Sequence, residues 1–268
     1  MKLLLVADLH YHFKKYDWVV AAAAYVDVVV IAGDHLEISS TVRRPAQVAV
    51  VQQYFQKIRR KAKLLVCSGN HDLDGRDHNG ERIAHWIATA RYLDIPTDGD
   101  AFRIGDSLFS MCAWSDGNEG IARTAMQLER DAATRPAVWI WVHHAPPFGS
   151  TTSWGGKRSF GLPELSRWIA DYQPDFVFSG HVHQSPYIAG GSWADKIGST
   201  WVFNAGFQMS PPPPHLLIDL GALEVYWMSI PMVEHVRLNK NGAASGPLDA
   251  PPPDWVLEID RAGRNVNS

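Results

Sequence analysis

Short, fully apolar runs alternate along the chain with stretches whose apolar residues recur at helical spacing. Residues 2–7 are apolar after Lys2 and stop at Asp8-Leu9-His10, the pattern of a strand buried on both faces. Residues 17–25 predict a short helix, and 28–32 a second buried strand that ends at Gly33-Asp34. Residues 45–62 predict a helix with a basic end, which the helix dipole favours. A third strand over 64–67 ends at Gly69-Asn70-His71-Asp72, and a further helix is expected over 81–92. Residues 102–104 and 108–112 flank Gly105-Asp106 and predict a hairpin. A helix over 118–134 precedes a strand over 138–142 that ends at His143-His144. A helix over 162–171 then precedes a strand over 176–178 that ends at Gly180-His181. Strands over 201–203, 215–218 and 223–228 complete the pattern.

Strand alternating with helix predicts an α/β fold with helices on the outside. The late strands lack long helices between them, which predicts a second sheet and a two-sheet β-sandwich flanked by helices. Prolines 211–214 predict a polyproline II stretch. After Pro231 the composition shifts toward Asn, Gly, Ala and Pro. Residues 1–230 are therefore expected to form the compact domain. Residues 231–268 are expected to be an extended tail packed on it, with 255–259 as a docking strand.

Composition narrows the class. The chain has 268 residues, 46% hydrophobic and 20% charged, which excludes disorder and coiled coil for its bulk. A net charge of −3 does not call for nucleic acid or an anionic membrane as partner. The longest apolar stretch, 18–32, is 15 residues with Asp27 inside it, short of the roughly 20 that span a bilayer. Cys67 and Cys112 lie in apolar runs without a CxxC spacing and are expected to be buried thiols of a reduced compartment. A cytoplasmic location is the expectation, with no protein partner evident.

The 12 histidines change the picture, because many cluster at strand ends. Five apolar strands terminate in metal-binding residue types: Asp8/His10, Asp34, Asn70/His71, His143/His144 and His181/His183. Ligands of open α/β sheets gather beyond the carboxyl ends of strands, so these loops are expected to converge. In extended chain Asp8 and His10 would point to one side and could share an ion, and His181 and His183 would repeat that arrangement. Carboxylate, amide and imidazole without thiolate suit manganese, iron, zinc or cobalt better than calcium or magnesium. His12, His35 and His78 are expected beside the site rather than in it. Asp72 is expected to fix its loop, and Trp86, Trp139, Trp141 and Trp168 to lie in the core.

In order, these five blocks resemble the calcineurin-like metallophosphoesterases, with His144-Ala145-Pro146-Pro147 similar to the family's His-x-Pro-Pro and Asn204-Ala205-Gly206 to its Asn-x-Gly. The resemblance covers roughly residues 1–230. It implies a four-layer α/β/β/α sandwich and two divalent transition-metal ions, manganese foremost with iron or zinc as alternatives. It implies Asp8, His10 and His183 on the first ion, Asp34 as bridge, and Asn70, His181 and His144 (rather than His143) on the second. His71 would contact the phosphoryl group or protonate the leaving group. Two ions about 3.5–4 Å apart would then activate a bridging water and clamp an in-line displacement.

Asp34 is followed by His35-Leu36-Glu37 rather than by the Val-Asp-Arg-Gly of protein phosphatases, and His71 stands where the lipid-A pyrophosphohydrolases carry Arg. A phosphodiester, or else a phosphomonoester, is therefore the expected substrate. It could be a nucleotide or single-stranded nucleic acid. A non-catalytic scaffold on this fold would have lost ligands, and the set is intact. In the Gly- and Ser-rich loop 148–161, Lys157 and Arg158 are candidate phosphate-binding cations.

Overall fold

A computed structural model describes residues 1–134, 136–238, 246–247 and 251–266. The strands are β1 (Lys2–Val6), β2 (Val28–Ala32), β3 (Lys63–Cys67), β4 (Gly75–Arg76), β5 (Arg82–Ile83), β6 (Ala101–Ile104), β7 (Ser107–Met111) and β8 (Val138–Val142). They continue as β9 (Phe176–Ser179), β10 (Ala194–Ile197), β11 (Thr200–Asn204), β12 (His215–Asp219), β13 (Glu224–Met228), β14 (Val233–Arg237) and β15 (Gly246–Pro247). The helices are α1 (Phe13–Ala22), α2 (Arg44–Arg59), α3 (His85–Ala88), α4 (Asn118–Ala132), α5 (Pro163–Tyr172) and α6 (Asp254–Val266).

Seven strands form one sheet in the order β15-β14-β13-β12-β1-β2-β3, and six form a second in the order β10-β11-β9-β8-β7-β6. The centres of both are parallel: β1, β2 and β3 in the first, β7, β8, β9 and β11 in the second. Alternation along each strand divides its apolar residues between two faces. Leu3, Leu5 and Ala7 meet Ile140, Phe178 and Phe203 between the sheets, while Leu4 and Val6 face α1 and α2. Trp139 and Trp141 turn outward onto Leu128 of α4 and Trp168 of α5. The result is the expected four-layer α/β/β/α sandwich, and β2 and β8 are apolar throughout because both their faces are covered.

Several expectations are corrected. The helix over 81–92 is broken into β5, α3 and a 3-10 turn (Thr89–Leu93). Asp74 caps a later start by accepting the His85 N–H at 2.6 Å, and the Glu81 carboxylate leaves to accept the Glu119 and Gly120 N–H groups at the start of α4. The segment beyond residue 230 contributes β14, paired with β13, and residues 255–259 lie in α6 rather than in a strand. Val256 and Ile259, three apart, are buried against the α1 side of the core, a helical period that the short apolar run conceals. The parts of the expected tail at 239–245, 248–250 and 267–268 lie outside the described residues. The proline stretch opens in a bend at residues 211–212, so it is not continuous polyproline II.

The inter-sheet layer should carry much of the stability. Ile140→Ala, at a fully buried position between the sheets, is expected to lower unfolding free energy by about 2–5 kcal/mol in denaturant titration.

Candidate metal centre

The loop after β1 is not extended. Asp8, His10 and Tyr11 adopt φ of 55°, 48° and 56°, as do Asp34 at 54° and His181 at 69°. Left-handed non-glycine residues cost on the order of 1–3 kcal/mol each and persist where their surroundings over-determine them. Here the Asp8, His10 and Tyr11 N–H groups donate to the Gly33, Asp34 and His35 carbonyls at 3.0–3.1 Å, locking the β1 loop onto the β2 loop. Two glycines permit the approach of the other sheet. A Cβ on Gly33 would lie 2.5 Å from the His144 ring, and one on Gly180 would lie 2.4 Å from an Asp8 carboxylate oxygen.

The coiled loops separate residues that an extended chain would pair. His183 Nε2 lies 3.0 Å from Asp8 Oδ1 and 3.2 Å from His10 Nε2. His181 Nδ1 lies instead 2.9 Å from Asn70 Oδ1. The two histidines therefore face different neighbours, His183 the Asp8 and His10 side chains and His181 the Asn70 side chain. Asp34 Oδ2 is 3.2 Å from His144 Nε2, 3.9 Å from His71 Nε2 and 4.0 Å from His10 Nε2. Three groups bring ligand atoms within 4.8 Å of one another: Asp8–His10–His183, His10–Asp34–His71 and Asp8–Asp34–His144.

The surroundings hold these atoms in place. His144 donates from Nδ1 to the Ala32 carbonyl at 2.7 Å, which leaves Nε2 facing the carboxylates. Asp8 Oδ2 accepts the His181 N–H at 3.0 Å, and Asp34 Oδ1 accepts the His71 N–H at 2.9 Å. Asp72 lies beneath, accepting N–H bonds from Gly69, His35 and Leu36 at 2.8–3.0 Å, and so ties the β3 loop to the β2 loop. Asn204 donates its amide to the Thr152 and Val182 carbonyls and to Ser185 Oγ, pinning the loop that carries His183.

Charge explains why a cation fits. Burial would raise the Asp8 carboxyl, yet the imidazoles of His10, His183 and His144 hold it well below its usual range. Burial would lower His144, but the Asp34 and Asp8 carboxylates overcome it and raise the imidazole to about 9. His181, buried and facing His144, is pushed down to about 4. His144 Nε2 is buried without a hydrogen-bond partner although it is aimed at two carboxylates. Facing those carboxylates the nitrogen needs a positive charge, which a proton supplies in the ion-free site and a bound cation can replace. A divalent ion meets that need, and the carboxylate, amide and imidazole donors match a transition metal.

The remaining sequence candidates separate clearly. His143 is fully buried and donates from Nδ1 to the Ala145 carbonyl at 2.8 Å; neither it nor His181 belongs to the three groups, but His181 meets the Asn70 side chain whereas the His143 bond is to backbone. His71 faces the cluster, its ring lying edge-on to His10 at 4.6 Å. Lys157 and Arg158 are exposed, and the Arg158 guanidinium lies over Phe160 at 4.7 Å rather than against the cluster. Sequence reasoning missed Glu37, whose carboxylate is 3.4 Å from His10 Nδ1 and 3.8 Å from His71 Nδ1. An acidic residue three places after Asp34 was the available signal. It also missed Trp114, packed on His144 and His181, and Phe207, stacked on His183. Nothing in a single sequence marks those rings.

The calcineurin-like phosphoesterase family model matches residues 1–185, so the chain belongs to that family and is a metal-dependent phosphoesterase. The same fold is seen in the Thermus thermophilus protein TT1561, 13% identical, with 89% of this chain and 99% of that one covered at a TM-score of 0.57. It is seen also in a purple acid phosphatase from yellow lupin seeds, 12% identical, with 89% of this chain and 51% of that one covered at a TM-score of 0.52. No curated protein matches the chain significantly in sequence. No helix among the described residues is long and apolar enough to cross a membrane.

The adjacent histidines give a direct test. His144→Ala is expected to lose one of two bound ions and most activity, whereas His143→Ala should retain both ions at saturating metal. Elemental analysis of each purified variant checks this, and the reverse pattern would exchange the two assignments.

Proposed function

We propose that this chain hydrolyses a phosphodiester at a pair of divalent transition-metal ions, manganese foremost and iron or zinc as alternatives. Asp8, His10 and His183 would hold the first, Asn70, His144 and His181 the second, and Asp34 would bridge them. The observation that carries this is the position of Asp34 Oδ2, within 3.2–4.0 Å of imidazoles from both halves of the cluster. Bound there, the ions would lower the pKa of a water and draw charge from the phosphoryl oxygens.

The chain's own groups do the rest. The His71 N–H fixes the Asp34 carboxylate, and the Ala32 carbonyl fixes the His144 ring, so neither needs to reorient as charge develops. Exposure rises from zero at the Asp8 and His144 side chains to 19% at His71 and 38% at His183. Substrate therefore approaches from the His71 and His183 side, where His71 can hand a proton to the departing alkoxide. The Glu37 carboxylate near His71 Nδ1 favours the ring orientation that aims Nε2 toward Asp34. A diester suits the site better than a monoester because it brings one negative charge fewer, and Arg158 is held on Phe160.

With Mn2+ supplied to the purified chain, bis-p-nitrophenyl phosphate should give a higher kcat/KM than p-nitrophenyl phosphate. A clear preference for the monoester would overturn the choice of substrate class. His71→Ala should keep both ions but lose about 10²–10⁴-fold in turnover of alkyl diesters, with a smaller loss on nitrophenyl esters whose leaving group needs no proton. Equal losses on both would remove His71 from the role of general acid.

A further inference from the structure

Lys15, in the first turn of α1, is a buried cation outside the proposed ligand set. Its side chain is only 1% exposed, an environment that lysine almost never occupies unless paired. Burial pushes its ammonium down to about 8 while the Asp8 carboxylate pulls the other way, so at neutral pH it remains largely charged. Among the described residues its contact is an aromatic ring: the ammonium lies 3.8 Å from the centroid of Phe207. That distance places it over the face of the ring, the geometry in which the ring quadrupole attracts a cation.

Phe207 is tied to the cluster in three ways. Its ring lies nearly parallel to the His183 imidazole, with centroids 4.6 Å apart and planes 25° apart. It stands edge-on to His10 at 5.3 Å. Its backbone N–H donates to the His183 carbonyl at 3.2 Å. His183 needs such support, since its side chain is 38% exposed against 8% for His10. One face of a phenyl ring cannot hold both an ammonium at 3.8 Å and a stacked imidazole, so Phe207 is clasped between Lys15 and His183.

We propose that Lys15 and Phe207 form a positioning pair for the half of the site built by Asp8, His10 and His183, with the ammonium holding the ring and the ring holding the two imidazoles. The proposal rests on the reading of those residues as ligands of one ion. It has an unusual sign. A bare positive charge near Asp8 would repel a divalent ion, so removing it would tighten binding. A clamp predicts the opposite, because a ligand that loses its support binds more weakly.

Mn2+ titration of the metal-stripped full chain by calorimetry separates these outcomes, with thermal melting of each stripped variant as the control for folding. The wild type should bind two ions. Lys15→Met, which keeps the apolar stem, and Phe207→Leu should each weaken one of the two sites by about 10–100-fold and leave the other unchanged. Lys15→Arg should restore it, since a guanidinium also stacks on a ring. Should Lys15→Met fold poorly, Phe207→Leu against Phe207→Tyr makes the same comparison, with the ring restored in the second. Tighter binding in Lys15→Met, unchanged binding at both sites, equal weakening at both, or no rescue by Lys15→Arg at wild-type Tm would overturn the clamp. A wild type that binds no Mn2+ would instead overturn the ligand assignment on which the clamp rests.

Discussion

Two carboxylates, Asp8 and Asp34, sit about 1% exposed with oxygens within 4.8 Å of each other and of the His144 ring. Like charges brought that close away from water repel strongly and are tolerated only with positive charge supplied between them. Much of the local structure serves that arrangement. Left-handed turns at Asp8, His10 and Asp34 bring the side chains inward, and glycines at 33 and 180 leave room for the opposing groups. Backbone N–H groups from His71 and His181 take one oxygen of each carboxylate and leave the other oxygen toward the imidazoles. A chain without use for a cation would gain stability by replacing this cluster with apolar side chains.

The two sheets divide the labour. The acids and the amide, Asp8, Asp34 and Asn70, follow β1, β2 and β3 of one sheet, and three imidazoles, His144, His181 and His183, follow β8 and β9 of the other. The centre thus lies across the open end of the sandwich, and the residues packed between the sheets set the separation of its halves. Packing in the Ile140, Phe178 and Phe203 layer is therefore also a control on ligand geometry.

Strands β1, β2, β3, β8 and β9 were legible because each is a mainly apolar run that stops abruptly before polar residues, a signal that needs no partner to be read. Convergence of the five strand ends followed from topology alone. The path of the chain through the loops did not. An extended backbone would have paired His181 with His183, whereas left-handed φ at His181 sends them to different neighbours. Glu81 illustrates the same limit, since its pattern is helical locally but its carboxylate is taken by the start of α4. Glu37, Trp114 and Phe207 act through contacts with distant segments, which one sequence does not encode in any local spacing. The α6 helix was hidden because a short run of apolar-rich sequence fits a strand or one helical turn equally well.

The division of the cluster between the sheets has a consequence for synthesis of the chain. Asp8 meets its His181 and His183 partners across separations of 173 and 175 residues. A nascent chain released only as far as Val142 would carry both carboxylates and none of the three imidazoles from the second sheet. Of the three close groups it could assemble only His10–Asp34–His71, and the two that need His144 or His183 would wait for the second sheet. Completion of the cluster is thereby postponed until both sheets have been translated, so that an intact cluster certifies a finished fold.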